Sequence, residues 1–572
     1  MTESANFARR GQAVAEPPVV ELEAGALRVE LAGTDVQAVR FGGSEVVQRI
    51  YMAVRDVPWN TIPGVVLERE VVQGDGRFRV KFRQRHTYDD IDLEWTGVID
   101  GAATGELVYE MRATAKRDFG YSKIGLNIHH GLHEYRGRTF RARTEAGELV
   151  GTLSKDIEPQ LVRDGSLTAM FDHFDAISFD LDGVTADFTF DGDRFETQDH
   201  RNWSDANYKT YGTPLSFGFP RDILAGEQLS QRVTLRLRGN GHEQEPNDVV
   251  RLSLADKNAG LPRIGHNVSG DAVANDAPAP AVISATRPDF VRLEVGPGDD
   301  IDAKLADVRA VVDAIRCRIE LVAAIDSQRL DAAIAELVQA VEKRHDDIAR
   351  VVVLAASTGF SEFKTATPPE LPQAMSAALR ERGVDVPVFS GTEQFFNELN
   401  RARPNYNGVD GIVFSLNPQV HACIDRALMQ NAAAIVDIAE FCRSLYPGAE
   451  LSVGPVHLLG PGGPFPGGPQ TPDGPPQALD VRHTALFGAA WTVAFLQAAV
   501  QAGLENVTLF DIVGSRGLAE RSDPARQPKG FPSVPGKGFP LLWVLERLQQ
   551  ANLEGATTTQ FLIRSAPAVC RW

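Results

Sequence analysis

The sequence predicts a multidomain chain, an N-terminal antiparallel β-sandwich followed by a (β/α)8 barrel. Three observations carry that expectation. Residues 18 to 240 alternate apolar and polar side chains over short runs separated by turn residues, the period of strands with one buried face. After about residue 250 the pattern changes, and short β-branched runs come to alternate with amphipathic helical stretches, the pattern of a parallel sheet built from βα units. Between the two lies "ADKNAGLPRIGHNVSGDAVANDAPAPAVISA", rich in Gly, Pro and Ala.

In the first half, "VVELEAGALRVELAG", "RFRVKFRQRHTYDDIDLEWTGVI", "GELVYEMRATA", "ISFDLDGVTADFTFDGDRFE" and "LSQRVTLRLRG" read as strands. Asp75-Gly76, Asp182-Gly183 and Asp191-Gly192 supply turns, because such pairs accept the positive φ of tight hairpins. No convincing helix interrupts them, which favours a sandwich. In the second half "PRIGHNV" (262–268) reads as the first barrel strand. Seven βα units follow, beginning at "VRLEV" (291–295), "RIELVAAI" (318–325), "RVVVLAA" (350–356), "VPVFSGT" (386–392), "GIVFSLN" (411–417), "LSVGPVHL" (451–458) and "NVTLFDIVG" (506–514). Eight units over about 290 residues is the size of a closed barrel. A doubly wound open sheet is the runner-up, weakened by the lack of GxGxxG after an early strand. Were "PRIGHNV" not the first strand, "TTTQFLIRS" (557–565) would be the eighth. The expected domains are a disordered N-terminus over 1–17, the sandwich over 18–245, a linker over 246–261 and the barrel over 262–556. A C-terminal strand over 557–572 could return to the sandwich.

Bulk properties narrow the function. A formal charge of −18 argues against nucleic acid or an anionic membrane surface as partner. No apolar run reaches the roughly 18 residues of a membrane span, and the N-terminus lacks the apolar stretch of a secretory signal. Cys317, Cys423, Cys442 and Cys570 are scattered without framework or metal spacing, so buried reduced thiols are expected. A cytoplasmic protein without metal or cofactor follows as the expectation. A homo-oligomer is compatible with that setting. His129, His130 and His133 cluster in "NIHHGLHEY", but adjacent residues on a strand point to opposite faces.

In a barrel of this kind the chemistry sits at the C-terminal strand ends and in the βα loops. Those ends offer His266, Glu294, Ser357, Glu393, Asn417 with Gln419 and His421, His457, and Asp511 with Arg516. The long loops 460–483 and 514–538 fall on the same rim, and loops of such length without structure of their own are usually functional. Glu393 and Asp511 are the candidate catalytic carboxylates, since paired acids can divide acid and base roles. Either could instead cap the next helix or pair with an Arg. His421 is the third catalytic candidate, as a general base or a hydroxyl ligand. Its competing role is to close a loop. Glu294, Asn417, Gln419, His457 and Arg516 are candidates for binding substrate. Glu398 is expected within the following helix, paired with Arg401.

Several segments together resemble a known family. "RIYMAVRDVPWNTIP" (49–63), "ETQDHRNWSDANYKTYGTP" (196–214), "LPRIG" (261–265), "RPDFVRLEV" (287–295), "ELNRARP" (398–404), "FSLNPQVHACID" (414–425), "SVGPV" (452–456), "RHTALFGAAWT" (482–492) and "GSRG" (514–517) occur in order. On these the chain resembles the D-apionate lactonase family of bacterial apiose catabolism, over nearly its whole length. The resemblance implies a β domain with a TIM barrel, and hydrolysis of D-apionolactone or a related sugar lactone. Two alternatives stay open. One is a glycoside hydrolase acting on a furanoside or apioside with Glu393 and Asp511 as its carboxylates. The other is a non-catalytic carbohydrate-binding protein. The expected ligand is a small sugar lactone or a short glycoside.

The segment 196–211, "ETQDHRNWSDANYKTY", raises a separate question, because it packs ten functional side chains into the sandwich half. Strict strand alternation would place Gln198, His200, Asn202 and Ser204 on one face and Asp199, Arg201, Trp203 and Asp205 on the other. Its expected role is a brace between domains, with Arg201 paired to an Asp and Trp203 at the interface. Alternatively it forms a second wall of the substrate pocket, with His200, Asn202, Trp203 or Lys209 reaching the ligand.

Overall fold

The structure is a computed structural model describing residues 3–11, 18–163, 166–240, 251–258, 260–268, 276, 278–356, 366–460, 476, 478–553 and 559–564. Alternation in residues 18–240 produces two antiparallel sheets. A seven-stranded sheet runs in the spatial order Val19–Ala24, Leu27–Ala32, Asp35–Phe41, Ser44–Arg55, Lys123–Gly131, Asn207–Tyr211, Glu196–Asp199. A nine-stranded sheet covers it, its outer strands being Gly147–Thr152 and Gly64–Gly74. Their facing apolar rows merge into one core around Trp95, Phe82, Tyr109 and Phe188. The Asp75-Gly76 turn joins two strands of that sheet with both residues at positive φ, 52° and 69°, as a primed hairpin turn requires.

The second half closes into a barrel. Its eight parallel strands are Arg263–Val268, Phe290–Val295, Arg318–Ile325, Ile348–Ala355, Val388–Gly391, Gly411–Leu416, Glu450–Val456 and Asn506–Val513. The first pairs in parallel with the last, so "PRIGHNV" is strand one and the open-sheet alternative is excluded. Polar residues occupy part of the interior. Glu320, fully buried, accepts from Arg350 Nε at 2.5 Å and Arg292 Nη1 at 3.4 Å, and Arg350 Nη1 donates to Asn506 at 2.8 Å. Above that network Val322, Val352, Leu354, Phe389 and Val413 form an apolar plug. The barrel is therefore a packed core, and ligands are confined to its mouth and outer loops.

Several boundaries differ from expectation. The N-terminus is not disordered throughout: Glu3–Arg10 is a helix, and Arg10 Nε meets Asp425 at 2.9 Å. The expected linker contains a strand, Arg251–Asn258, which pairs with the C-terminal strand Thr559–Arg564. That last strand joins neither sheet of the sandwich. "PAPAVISAT" (278–286), read as part of a crossing, is a helix, because proline is tolerated in a first turn where N–H groups lack intrahelical partners. Loop 514–538 has structure of its own, a short strand Gly517–Ala519 and a 3-10 turn Pro524–Arg526. Ser357, Cys570 and most of loop 460–483 lie outside the described residues. Cys317 and Cys442 are buried free thiols and Cys423 is half-buried. No helix among the described residues is long and apolar enough to cross a membrane.

Candidate active site

Two cavities share one wall. The first, about 150 Å³, lies between the sandwich and the barrel; the second, about 360 Å³, is the barrel mouth, and Gln394 and Phe395 line both. The candidate residues divide between them.

At the mouth stand Glu294, Glu393, Asn417 and His457. Glu294 is half exposed and bound to Arg292 at 3.1 Å; Glu393 is exposed on the rim. Asp511 accepts from Asn267 at 2.9 Å and meets His457 Nε2 at 3.3 Å. Burial pushes the Asp511 carboxyl up, but His457, Asn267 and Arg516 outweigh it and hold the group below its ordinary range. Asp511 is therefore the ionised partner of a histidine, not a raised-pKa acid. Arg516 donates to the carbonyls of Leu459 and Ala478.

The interdomain cavity is lined by the 196–211 segment, by other sandwich residues such as Tyr51, Arg55, Trp59 and Gln160, and by barrel residues 394–401 and 420–421. Strict alternation fails there, because the Asp199 side chain caps the N–H of Arg201 and turns residues His200–Trp203 into a 3-10 helix. Ser204 takes the left-handed conformation at φ 70° and the chain re-enters the sheet at Asn207–Tyr211. The reversal aims Trp203 and Lys209 into the cavity while Asp205 reaches the barrel loop.

Asp205 Oδ2 lies 2.6 Å from His421 Nδ1, and its other oxygen accepts from Asn431 at 2.9 Å. The His421 ring stacks on His200 with centroids 4.0 Å apart and meets the Trp203 edge at 5.5 Å. Arg55 fixes the same loop, donating to the carbonyls of His421 and Trp59. Among the described residues no hydrogen bond reaches His421 Nε2, so that edge of the ring is available to a ligand. Burial lowers the His421 pKa, with Lys209 and Arg55 adding to the effect. Burial raises the Asp205 carboxyl to about 8, against Lys209, Asn431 and Arg55. Lys209 is pushed down to about 7 by burial and by Arg55, with Asp205 and Glu196 pulling it back. Its ammonium sits 4.6 Å from the Tyr211 ring.

Some candidates are committed to the protein itself. Asn202 donates to the carbonyls of Glu158 and Asp199 and accepts from Asn400, so it lines neither cavity. Gln419 donates to Leu458 O and Asp480 and accepts from Arg482, so it too is a loop clamp rather than a ligand of either cavity. His200 is wholly buried, bonded through Nδ1 to Asn207, and supports His421 from behind. Glu398, in helix Phe396–Ala402 as expected, lines the interdomain cavity with Arg401. The residues that strand-end reasoning passed over are Arg55, Asp205, Gln160 and Asn397.

Ligand atoms of His200, Asp205 and His421 lie within 4.8 Å of one another, the one grouping among the described residues that could hold a metal. Its geometry does not suit one. The two imidazoles are stacked 9° from parallel, so their in-plane lone pairs run side by side, and His421 Nδ1 already bonds Asp205.

Comparison with known proteins places this architecture. The profile of the D-apionate lactonase N-terminal domain matches residues 7–240, and that of the D-apionate lactonase TIM barrel domain matches residues 264–553. A D-apionate lactonase from Brucella anthropi is 26% identical over 98% of this chain and 92% of its own. Among solved structures, a GH39 β-xylosidase from Caulobacter crescentus aligns at 11% identity and TM-score 0.36, over 55% of this chain and 76% of its own. A galactose 1-epimerase from Lactobacillus acidophilus aligns at 9% identity and TM-score 0.29, over 39% of this chain and 95% of its own. With both of its domains matched in order, this chain belongs to the D-apionate lactonase family.

Proposed function

We propose that the protein hydrolyses a small sugar lactone, D-apionolactone or a related aldonolactone, in the interdomain cavity. The observation that carries this is the Asp205–His421 pair at 2.6 Å, beside the desolvated Lys209, in a cavity walled by both domains. Lactone opening needs a base for water, a cation for the oxyanion and a proton for the leaving alkoxide. With the pair in its basic form, Asp205 accepts from His421 Nδ1–H and Nε2 takes a proton from water. The resulting hydroxide adds to the lactone carbonyl, and the Lys209 ammonium stabilises the oxyanion. As the carbonyl re-forms, the ring C–O bond breaks and His421 returns its proton to the leaving oxygen. One water is consumed and one hydroxy acid formed. Trp203, Trp59 and Tyr51 offer flat apolar faces to the sugar ring.

A second reading places the same hydrolysis at the barrel mouth, with His457 as base oriented by Asp511. The bond between those two residues at the strand ends favours it. The first test is to incubate the protein with D-apionolactone and a panel of aryl furanosides, following acid release and aryl release in parallel. Acid release well above the buffer blank is expected. Aryl release without it would establish a glycosidase instead.

A further inference from the structure

Three residues that line the interdomain cavity, Gln160, Asn397 and Arg401, carry four buried polar atoms with no hydrogen-bond partner among the described residues. These atoms are Nε2 and Oε1 of Gln160, Oδ1 of Asn397 and Nη1 of Arg401. Gln160 is 5% exposed and Asn397 2%. Leaving such groups dry and unpaired costs roughly 1–3 kcal/mol each, so a ligand that completes them gains what the empty cavity forgoes. The three residues are held together: Arg401 Nε donates to the Gln160 carbonyl at 2.7 Å, and Asn397 and Arg401 share helix Phe396–Ala402. Asn397 and Arg401 thus stand on that helix, whereas Lys209 lies on the strand Asn207–Tyr211 and His421 follows the strand Gly411–Leu416.

The chemistry of the set identifies what it binds. Two of the four atoms are acceptors and two are donors. A carboxylate only accepts, and would face Gln160 Oε1, Asn397 Oδ1 and the neighbouring Glu398 with nothing to donate. An aliphatic ring would satisfy none of them. Hydroxyl groups donate and accept at once, and adjacent hydroxyls on one ring can serve both kinds of atom. We infer that Gln160, Asn397 and Arg401 form a hydroxyl-recognising subsite that selects lactones bearing free ring hydroxyls over bare lactones. This rests on the interdomain cavity being the lactone site.

The test pairs D-erythronolactone, with two ring hydroxyls, against γ-butyrolactone, the same ring with none. In the wild type kcat/KM should favour the hydroxylated lactone by about 1000-fold or more, as in sites built to bond a substrate hydroxyl. Gln160→Leu should shrink that ratio by about 10- to 100-fold, with Asn397→Leu acting in the same direction. A ratio unmoved by both substitutions in proteins of unchanged melting temperature overturns the subsite. A second arm uses binding alone. In His421→Asn protein, D-erythronolactone should change the fluorescence of Trp59 and Trp203 at concentrations where γ-butyrolactone does not, and Gln160→Leu should abolish the difference. Equal binding of the two lactones also overturns it. If His421→Asn leaves hydrolysis intact, the catalytic assignment fails, while the binding arm still decides the subsite.

Discussion

At the scale of single residues, burial pushes three ionisable groups at the interdomain cavity, Asp205, His421 and Lys209, toward neutrality. In the proposed hydrolysis Asp205 must be ionised to support His421 as base, and burial raises its carboxyl to about 8. Lys209 supports an oxyanion only while charged, and burial ends that near pH 7. The signs oppose each other, so kcat/KM for lactone opening should be bell-shaped with its maximum between about 7 and 8. Lys209→Met should lower kcat by about 100-fold or more and remove the alkaline limb, while Asp205→Asn should remove the acidic limb. A pH profile of each variant checks both limbs. An unchanged bell in Lys209→Met would remove that residue from the chemistry.

At the scale of elements, residues 196–211 are both brace and pocket wall, with different side chains serving each role. Arg201 is fully buried and bonds Asp199, Tyr208 and the carbonyls of Ser154, Lys155 and Asp156. It also reaches across the domain boundary to Asp437 at 3.0 Å, on barrel helix Ala434–Leu445. Arg201→Leu strands the Asp199 carboxylate in the interior and should cost about 3–5 kcal/mol in denaturant unfolding. Trp203 lies at the cavity surface, edge-on to His421, so Trp203→Ala should lower kcat/KM by about 10-fold or more with a much smaller loss of stability. Equal stability losses in the two variants would contradict this division of labour. A local pattern could not have shown it: alternation assigns faces to an unbroken strand, and the Asp199 cap breaks the strand at its fifth residue.

At the scale of the molecule, the fold was legible and the site much less so, for one physical reason. Strand and helix periods, Asp-Gly turns and βα alternation are local, so they read directly from neighbouring residues. The interdomain cavity brings Arg55, Lys209, Asn397 and His421 together across more than 360 positions of chain, which no period encodes. Barrel logic led instead to the strand ends, where Glu393, His457 and Asp511 do gather around a mouth. One signal did point to the other cavity. Segments 49–63, 196–214, 398–404 and 414–425, among those that carry the family resemblance, each contribute residues to its lining. The two cavities meet at Gln394 and Phe395, so the question of which one performs hydrolysis is settled by comparing their dyads in the same protein. The direct measurement is kcat/KM for D-apionolactone opening in His421→Asn beside Asp511→Asn, both checked for native melting temperature. The interdomain account predicts a loss of about 1000-fold in the first and less than about 10-fold in the second. The reverse order would contradict it and move the chemistry to the barrel mouth.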